Sequence, residues 1–127
     1  MSILHIAYAF VPLGFVLTGL HAVLPDVIPY SAALHAWTAG AILLMTLAVM
    51  TRASLGHSGL PLSADRRISA IYLLGLAAAA SRIVAGLFPG VPGLLELAGL
   101  SWVLSFALFA AVYTPLFFRP RSRATPA

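Results

Sequence analysis

The sequence predicts an all-α membrane protein, a bundle of four transmembrane helices in a single domain over residues 1–127. Of these residues, 61% are apolar and only 8% are charged, and a water-soluble domain of this size could not bury so large an apolar fraction in one core. Four apolar stretches are each long enough, at about 1.5 Å per residue, to cross a ~30 Å hydrocarbon layer. We therefore expect helices over about residues 2–24, 31–51, 66–88 and 94–118.

The segments between these stretches differ in length and chemistry. Residues 25–30 and 89–93 are short and rich in proline, which is typical of tight turns, whereas residues 52–65 form a longer polar loop. Asp65 lies where the N-cap of the third helix is expected. The first stretch begins almost at Met1 without a positively charged lead, so we interpret it as a permanent span and not as a cleaved signal.

The arginines predict how the chain is oriented. The net charge is +4, and in a membrane chain such an excess indicates orientation and contact with lipid headgroups, not binding of nucleic acid. With four spans, the N-terminus, the middle loop and the C-terminus share one side. Most of the arginines fall on that side: Arg52, Arg66, Arg67, Arg119, Arg121 and Arg123. We expect an inner (cytoplasmic) membrane protein with both termini in the cytoplasm.

The composition also limits the chemistry of the chain. It contains no cysteine, which excludes disulfides, thiolate metal sites and covalent c-type haem attachment. No motif places a serine beside a histidine and an acid in one aqueous cleft, and the Gly56 to Gly59 segment lacks the lysine of a phosphate-binding loop. We therefore expect a protein that binds a ligand or a partner, without catalytic activity of its own.

The four histidines divide by their predicted depth. His5 and His57 lie toward the cytoplasmic side, while His21 and His35 lie toward the outer side. His35 and His57 would be about 33 Å apart along a continuous helix, too far to ligate one haem unless the loop folds back into the bundle. Two axial pairs stay open, His21 with His35 or His5 with His57, against the alternative that these residues only anchor or pack the helices.

Arg82 and Glu96 are expected in the same leaflet. Arg82 lies inside the third span and Glu96 begins the fourth, with a short turn between them. We expect them to form a structural ion pair, since each of two charges that are partly withdrawn from water needs an opposite charge nearby. The alternative is that the planar guanidinium of Arg82 neutralises a haem propionate or another anion. Met45 and Met50 are available as soft copper ligands but are more typical of helix packing.

Small residues share one face of the second helix and one face of the third, which predicts close contact between helices. Ala32, Ala36 and Gly40 are spaced by four on the second helix, and Gly75, Ala79 and Gly86 form one face of the third together with Arg82.

One long motif resembles a known family. The segment from Leu34 to Arg52, with its His-Ala-Trp-Thr and Met-Thr-Leu-Ala-Val-Met-Thr-Arg runs, and the following Leu-Gly-His-Ser-Gly at 55–59 closely resemble the hallmark of the NnrS family. The resemblance continues into residues 5–14 and 101–121. It covers nearly the whole chain, although typical members are longer and the match resembles their C-terminal third.

The resemblance implies a polytopic membrane protein linked to nitric oxide metabolism and tolerance, in a family described as binding haem and copper. It implies haem, which would be b-type because the chain has no cysteine, and more weakly copper, with His5, His35, Arg52 and His57 as the site residues. His21 falls outside the matching motifs.

Three functions remain open from the sequence. The first is a small accessory subunit that packs in the bilayer against a larger respiratory complex of the haem-copper oxidase or nitric oxide reductase type, or against its own copies. The second is a stand-alone haem-binding membrane protein of the nitric oxide response. The third, a small oligomeric transporter, is disfavoured because no carboxylate lies at mid-membrane to couple proton movement.

Overall fold

The chain forms a bundle of four long helices. A computed structural model describes residues 2–57 and 65–118, and this part of the chain contains no strand. All four helices are long and apolar enough to cross a membrane, which confirms the predicted fold class. The helices are α1 (Ser2–Val23), α2 (Tyr30–His57), α3 (Arg66–Leu87) and α4 (Leu94–Phe117).

Helix α2 is longer than expected. The prediction ended this helix at residue 51 and assigned Arg52 to a loop, but the structure continues the helix to His57. The apolar stretch does end at Arg52, yet Ala53, Ser54 and Leu55 have no helix-breaking tendency, so polarity alone does not end the helix. Residues 58–64 of the predicted loop lie outside the described residues. Asp65 caps α3 as predicted, because its carboxylate accepts a hydrogen bond from the backbone N–H of Ile68 at 2.9 Å.

The middle of α2 departs from α-helical geometry. The helix is α-helical over Tyr30–His35, π-helical over Ala36–Ile42 and α-helical again over Leu43–His57. The π-helical segment is rich in small residues and begins directly after His35. Wide turns of this kind are rare and occur often at functional sites.

Helices α1 and α2 interlock through two aromatic rings and two glycines. The Trp37 ring occupies the space beside Gly14, where an added Cβ would lie 2.1 Å from Trp37 Nε1, and Phe10 fills the same kind of space beside Gly40 at 2.3 Å. Trp37 Nε1 also donates to the Val11 carbonyl oxygen at 3.1 Å. Only glycine at positions 14 and 40 permits this approach.

The remaining helices pack around α2 and α3. Helix α3 makes an extensive contact with α4, and one core cluster, to which α2 also contributes, includes Leu47, Ile71 and Tyr113. Near the C-terminal end of α3, an added Cβ at Gly86 would lie 3.4 Å from the Ala32 Cα atom. The predicted close contact of α2 and α3 through small residues is therefore present.

The helices differ in how much of their surface is covered. In the most apolar window of α2 and of α3, 44% of the residues are buried, against 17% for α1 and 22% for α4. Helices α2 and α3 thus form the centre, and α1 and α4 leave most of their apolar side chains exposed, as expected where side chains face lipid.

Candidate functional site

His35 lies beside a cavity between α2, α3 and α4. It is the last residue before the π-helical segment and is partly buried. The cavity has a volume of about 440 Å³, within the roughly 300–1,000 Å³ of small-molecule sites. We call it the central cavity, and its lining includes His35, Thr38, Ala78, Arg82, Ala98 and Trp102.

A second cavity lies next to the central one, nearer the helix ends. It has a volume of about 460 Å³, and we call it the end cavity. Its lining includes Asp26 and Pro29 from the connection between α1 and α2, and Gly86 from α3. His35 and Arg82 line both cavities, so these two side chains lie where the cavities adjoin.

The polar groups of the central cavity are mostly donors. Arg82 presents a guanidinium, and Trp102 carries an indole N–H. The Thr38 hydroxyl already donates to the Leu34 carbonyl oxygen at 2.8 Å. No carboxylate lines the central cavity within the part of the chain that the structure describes. The arrangement therefore suits a largely apolar ligand that carries an anionic group. Such a ligand would also have one site at which the protein's imidazole can bind.

Glu96 is placed apart from this site. It lies exposed in the first turn of α4 and lines neither cavity. The ion pair of Arg82 with Glu96 stays a prediction. Asp26, at the end cavity, is the acidic side chain that shares a cavity with Arg82.

His21 has a contact of its own. Its Nδ1 donates to the Ile28 carbonyl oxygen at 2.7 Å, and its ring lies 5.7 Å from the ring of Tyr30. The imidazole thus ties the end of α1 to the connection that follows it. His21 lines neither cavity, so the structure does not bring it together with His35.

His5 and His57 lie at the opposite end of the bundle from His35. His57 is the exposed last residue of α2 and follows His35 by about 33 Å of helix. His5 is exposed near the start of α1, and Arg52 is exposed near the end of α2. Within residues 2–57 and 65–118, no group of three or more His, Asp or Glu side chains is placed to hold a metal ion. Copper binding stays a prediction.

Sequence reasoning did not assign Trp102 and Thr38 to a site. A tryptophan in a membrane helix is typical of packing or of the membrane interface, and the Trp102 ring does lie 4.9 Å from that of Phe106. The available signal was the spacing of Ala98, Gly99 and Trp102, which places two small residues and one aromatic on the same face of α4.

Comparison with known proteins gives one clear result. A model of the family described as NnrS protein matches residues 1–121, nearly the whole chain. The chain belongs to the NnrS family. No curated protein and no solved structure matches it significantly. Membership in the NnrS family indicates a membrane protein associated with the nitric oxide response, and four apolar helices agree with a multi-pass protein.

Proposed function

We propose that this NnrS protein binds a b-type haem in the membrane as part of the nitric oxide response, with His35 as the axial ligand. The observation that carries the proposal is that His35 and Arg82 line the same two cavities. An imidazole is a common axial ligand of haem iron, and a guanidinium pairs well with a carboxylate. Bound haem would supply an iron that can bind a diatomic gas.

The residues present fit such a group. His35 offers one imidazole, Arg82 offers a partner for a propionate, and Trp102 and Leu95 offer apolar walls. No second histidine lines either cavity among the described residues, so the site fits a haem with one protein ligand. This arrangement supports gas binding more than electron transfer between two fixed ligands.

The helix backbone around His35 is closely packed. Ala32 and Ala36, one turn before and one residue after His35, are fully buried. Ala32 packs against Gly86 of α3, and Trp37 packs against Gly14 of α1. Because both neighbouring helices pack against this part of α2, the backbone that carries His35 is held in place before a ligand binds.

The experiment is a cavity-complementation test at His35. The His35→Gly variant should lose the haem absorbance of the purified protein, and added imidazole should restore it, because free imidazole replaces the missing side chain. The matched control is His57→Ala, on the same helix but about 33 Å away, and it should keep the spectrum. If His35→Gly keeps its haem, His35 is not the ligand. If His57→Ala loses it instead, the site lies at the other end of the bundle.

A second candidate function is a small accessory subunit of a larger respiratory complex. It is favoured by α1 and α4, where only 17% and 22% of the apolar windows are buried, because this surface is available to another subunit as well as to lipid. Solubilisation in mild detergent followed by mass analysis tests it. A stoichiometric complex with larger subunits supports the accessory role, and a species that contains only this chain contradicts it.

A further inference from the structure

The hydroxyl of Tyr113 is buried without a hydrogen bond. Tyr113 is fully buried near the end of α4, and its ring stacks on Phe109 with 4.7 Å between the centroids. Its Oη atom has no hydrogen-bond partner among the described residues. Because removing a hydroxyl from water without a new partner costs folding free energy, such groups are rare and indicate a bound water or another ligand.

Two further hydroxyls lie on the neighbouring helices. The hydroxyls of Thr51 on α2 and Tyr72 on α3 form a hydrogen bond. Thr51 Oγ1 also donates to the Ala48 carbonyl oxygen at 3.0 Å. Since the single Thr51 proton goes to Ala48, Tyr72 is the donor in its bond with Thr51. The Tyr72 oxygen therefore keeps its lone pairs for another donor.

The packing of α3 against α4 directs Tyr72 and Tyr113 toward each other. The hydrogen bond from Ser105 Oγ to the Ile71 carbonyl oxygen, 2.8 Å, fixes the register of these antiparallel helices. Helical side chains lean toward the N-terminus of their own helix. The Tyr72 side chain therefore extends along α3 toward Ile68, and the Tyr113 side chain extends along α4 toward Phe109. Ile68 and Phe109 lie at about the same height in the antiparallel pair. The Tyr113 ring belongs to one core cluster, and the Tyr72 ring packs against the same cluster.

We propose that the hydroxyls of Tyr113, Tyr72 and Thr51 line an internal hydration site that holds one water molecule. The water accepts a hydrogen bond from the Tyr113 hydroxyl. It donates one hydrogen bond to the Tyr72 oxygen and a second to the remaining lone pair of Thr51 Oγ1. Two to four polar partners are what a buried water requires. The site joins α2, α3 and α4, the same three helices that line the central cavity, but at the opposite end.

The proposal does not depend on haem binding. Thr51 follows His35 by 16 residues, about 24 Å along the helix. A negative result for the hydration site therefore does not contradict haem binding at His35, and a negative result for haem binding does not contradict the hydration site.

Water oxygen-17 magnetic relaxation dispersion tests the site, because it detects long-lived internal water and does not respond to protein hydroxyls. The protein in detergent is compared with Tyr113→Phe and with the control Tyr8→Phe, whose ring is 66% exposed. We expect Tyr113→Phe to lose the contribution of one long-lived water and Tyr8→Phe to keep it. Equal dispersion in the wild type and Tyr113→Phe would overturn the proposal, since Tyr113 would then bind no water.

Thermal unfolding of Tyr113→Phe and of Thr51→Val in detergent gives an independent answer. A hydroxyl linked to a bridging water stabilises the bundle, so Tyr113→Phe and Thr51→Val should both lower Tm. A hydroxyl that is simply unpaired costs stability, so Tyr113→Phe would raise Tm or leave it unchanged. The second result contradicts the hydration site.

Discussion

Arg82 carries a charge inside a membrane-spanning helix, where a charged side chain is costly unless it has a polar partner or a water-filled cavity. The structure places it in the lining of two cavities, both of which His35 also lines. The sequence identified both residues as candidates. It could not show that they meet, because His35 and Arg82 lie on different helices and their proximity depends on the register between α2 and α3.

The role of Arg82 leads to a prediction about haem affinity. Arg82→Met should weaken haem binding by about tenfold to a hundredfold, because hydrogen bonds to charged groups contribute roughly 1.5–3 kcal/mol. Arg82→Lys keeps the charge but loses the planar guanidinium, so the haem affinity of this variant should fall between those of the wild type and Arg82→Met. Haem titration of the detergent-purified apoprotein measures these affinities. Equal affinity in Arg82→Met and wild type would mean that Arg82 does not contact a propionate.

At the scale of single elements, the helices were predictable and their internal details were not. Hydropathy and proline-rich turns indicate the four spans, and Asp65 was predicted as the cap of α3 because its residue type and position suffice. The π-helical segment Ala36–Ile42 was not predicted, since it leaves no periodic signal in the sequence; Trp37 and Gly40, which pack against α1, lie within it. The extension of α2 to His57 was missed because a fall in hydropathy was interpreted as the end of the helix.

The contact of α1 with α2 predicts that two similar substitutions have different effects. Gly14→Ala forces a methyl group into the Trp37 ring and should lower the free energy of unfolding by about 1–3 kcal/mol. Gly19→Ala is the control, because an added Cβ there meets nothing within 4 Å. Its effect should be neutral or slightly stabilising, since alanine favours the helix more than glycine. Thermal unfolding in detergent compares the two, and equal Tm values would contradict the interlocked packing.

The cap of α3 predicts a smaller effect. Asp65→Ala removes the acceptor for the Ile68 N–H and should cost about 1 kcal/mol. Asp65→Ser restores a capping oxygen and should recover most of that loss, while also removing the negative charge. The denaturation midpoints of the wild type, Asp65→Ala and Asp65→Ser distinguish the contribution of the capping hydrogen bond from that of the negative charge. If Asp65→Ser is as unstable as Asp65→Ala, the charge and not the hydrogen bond stabilises this end.

For the whole molecule, composition was sufficient to predict the class and insufficient to predict the cavities. A chain that is 61% apolar with four long stretches has few soluble alternatives. The cavities depend on where small residues such as Gly99 and Ala78 leave space between helices, and that is a property of three packed helices together. The same limit applies to the burial of the Tyr113 hydroxyl without a hydrogen-bond partner among the described residues.

The orientation of the whole bundle can be tested because the chain has no native cysteine. Single cysteines at Ala53 and Asp26 place one thiol near each end of α2. From the arginine distribution, an impermeant maleimide should label Ala53→Cys only in inverted membrane vesicles and Asp26→Cys only in intact spheroplasts. The reverse labelling pattern would contradict a cytoplasmic position for the termini.

The most direct test of the central claim is the reduced-minus-oxidised visible spectrum of the protein purified in mild detergent, recorded with the mass composition of the same peak. The account predicts Soret and α-band absorbance from a peak that contains only this chain. A colourless protein, or absorbance that appears only with co-purified larger subunits, would contradict haem binding by this chain itself.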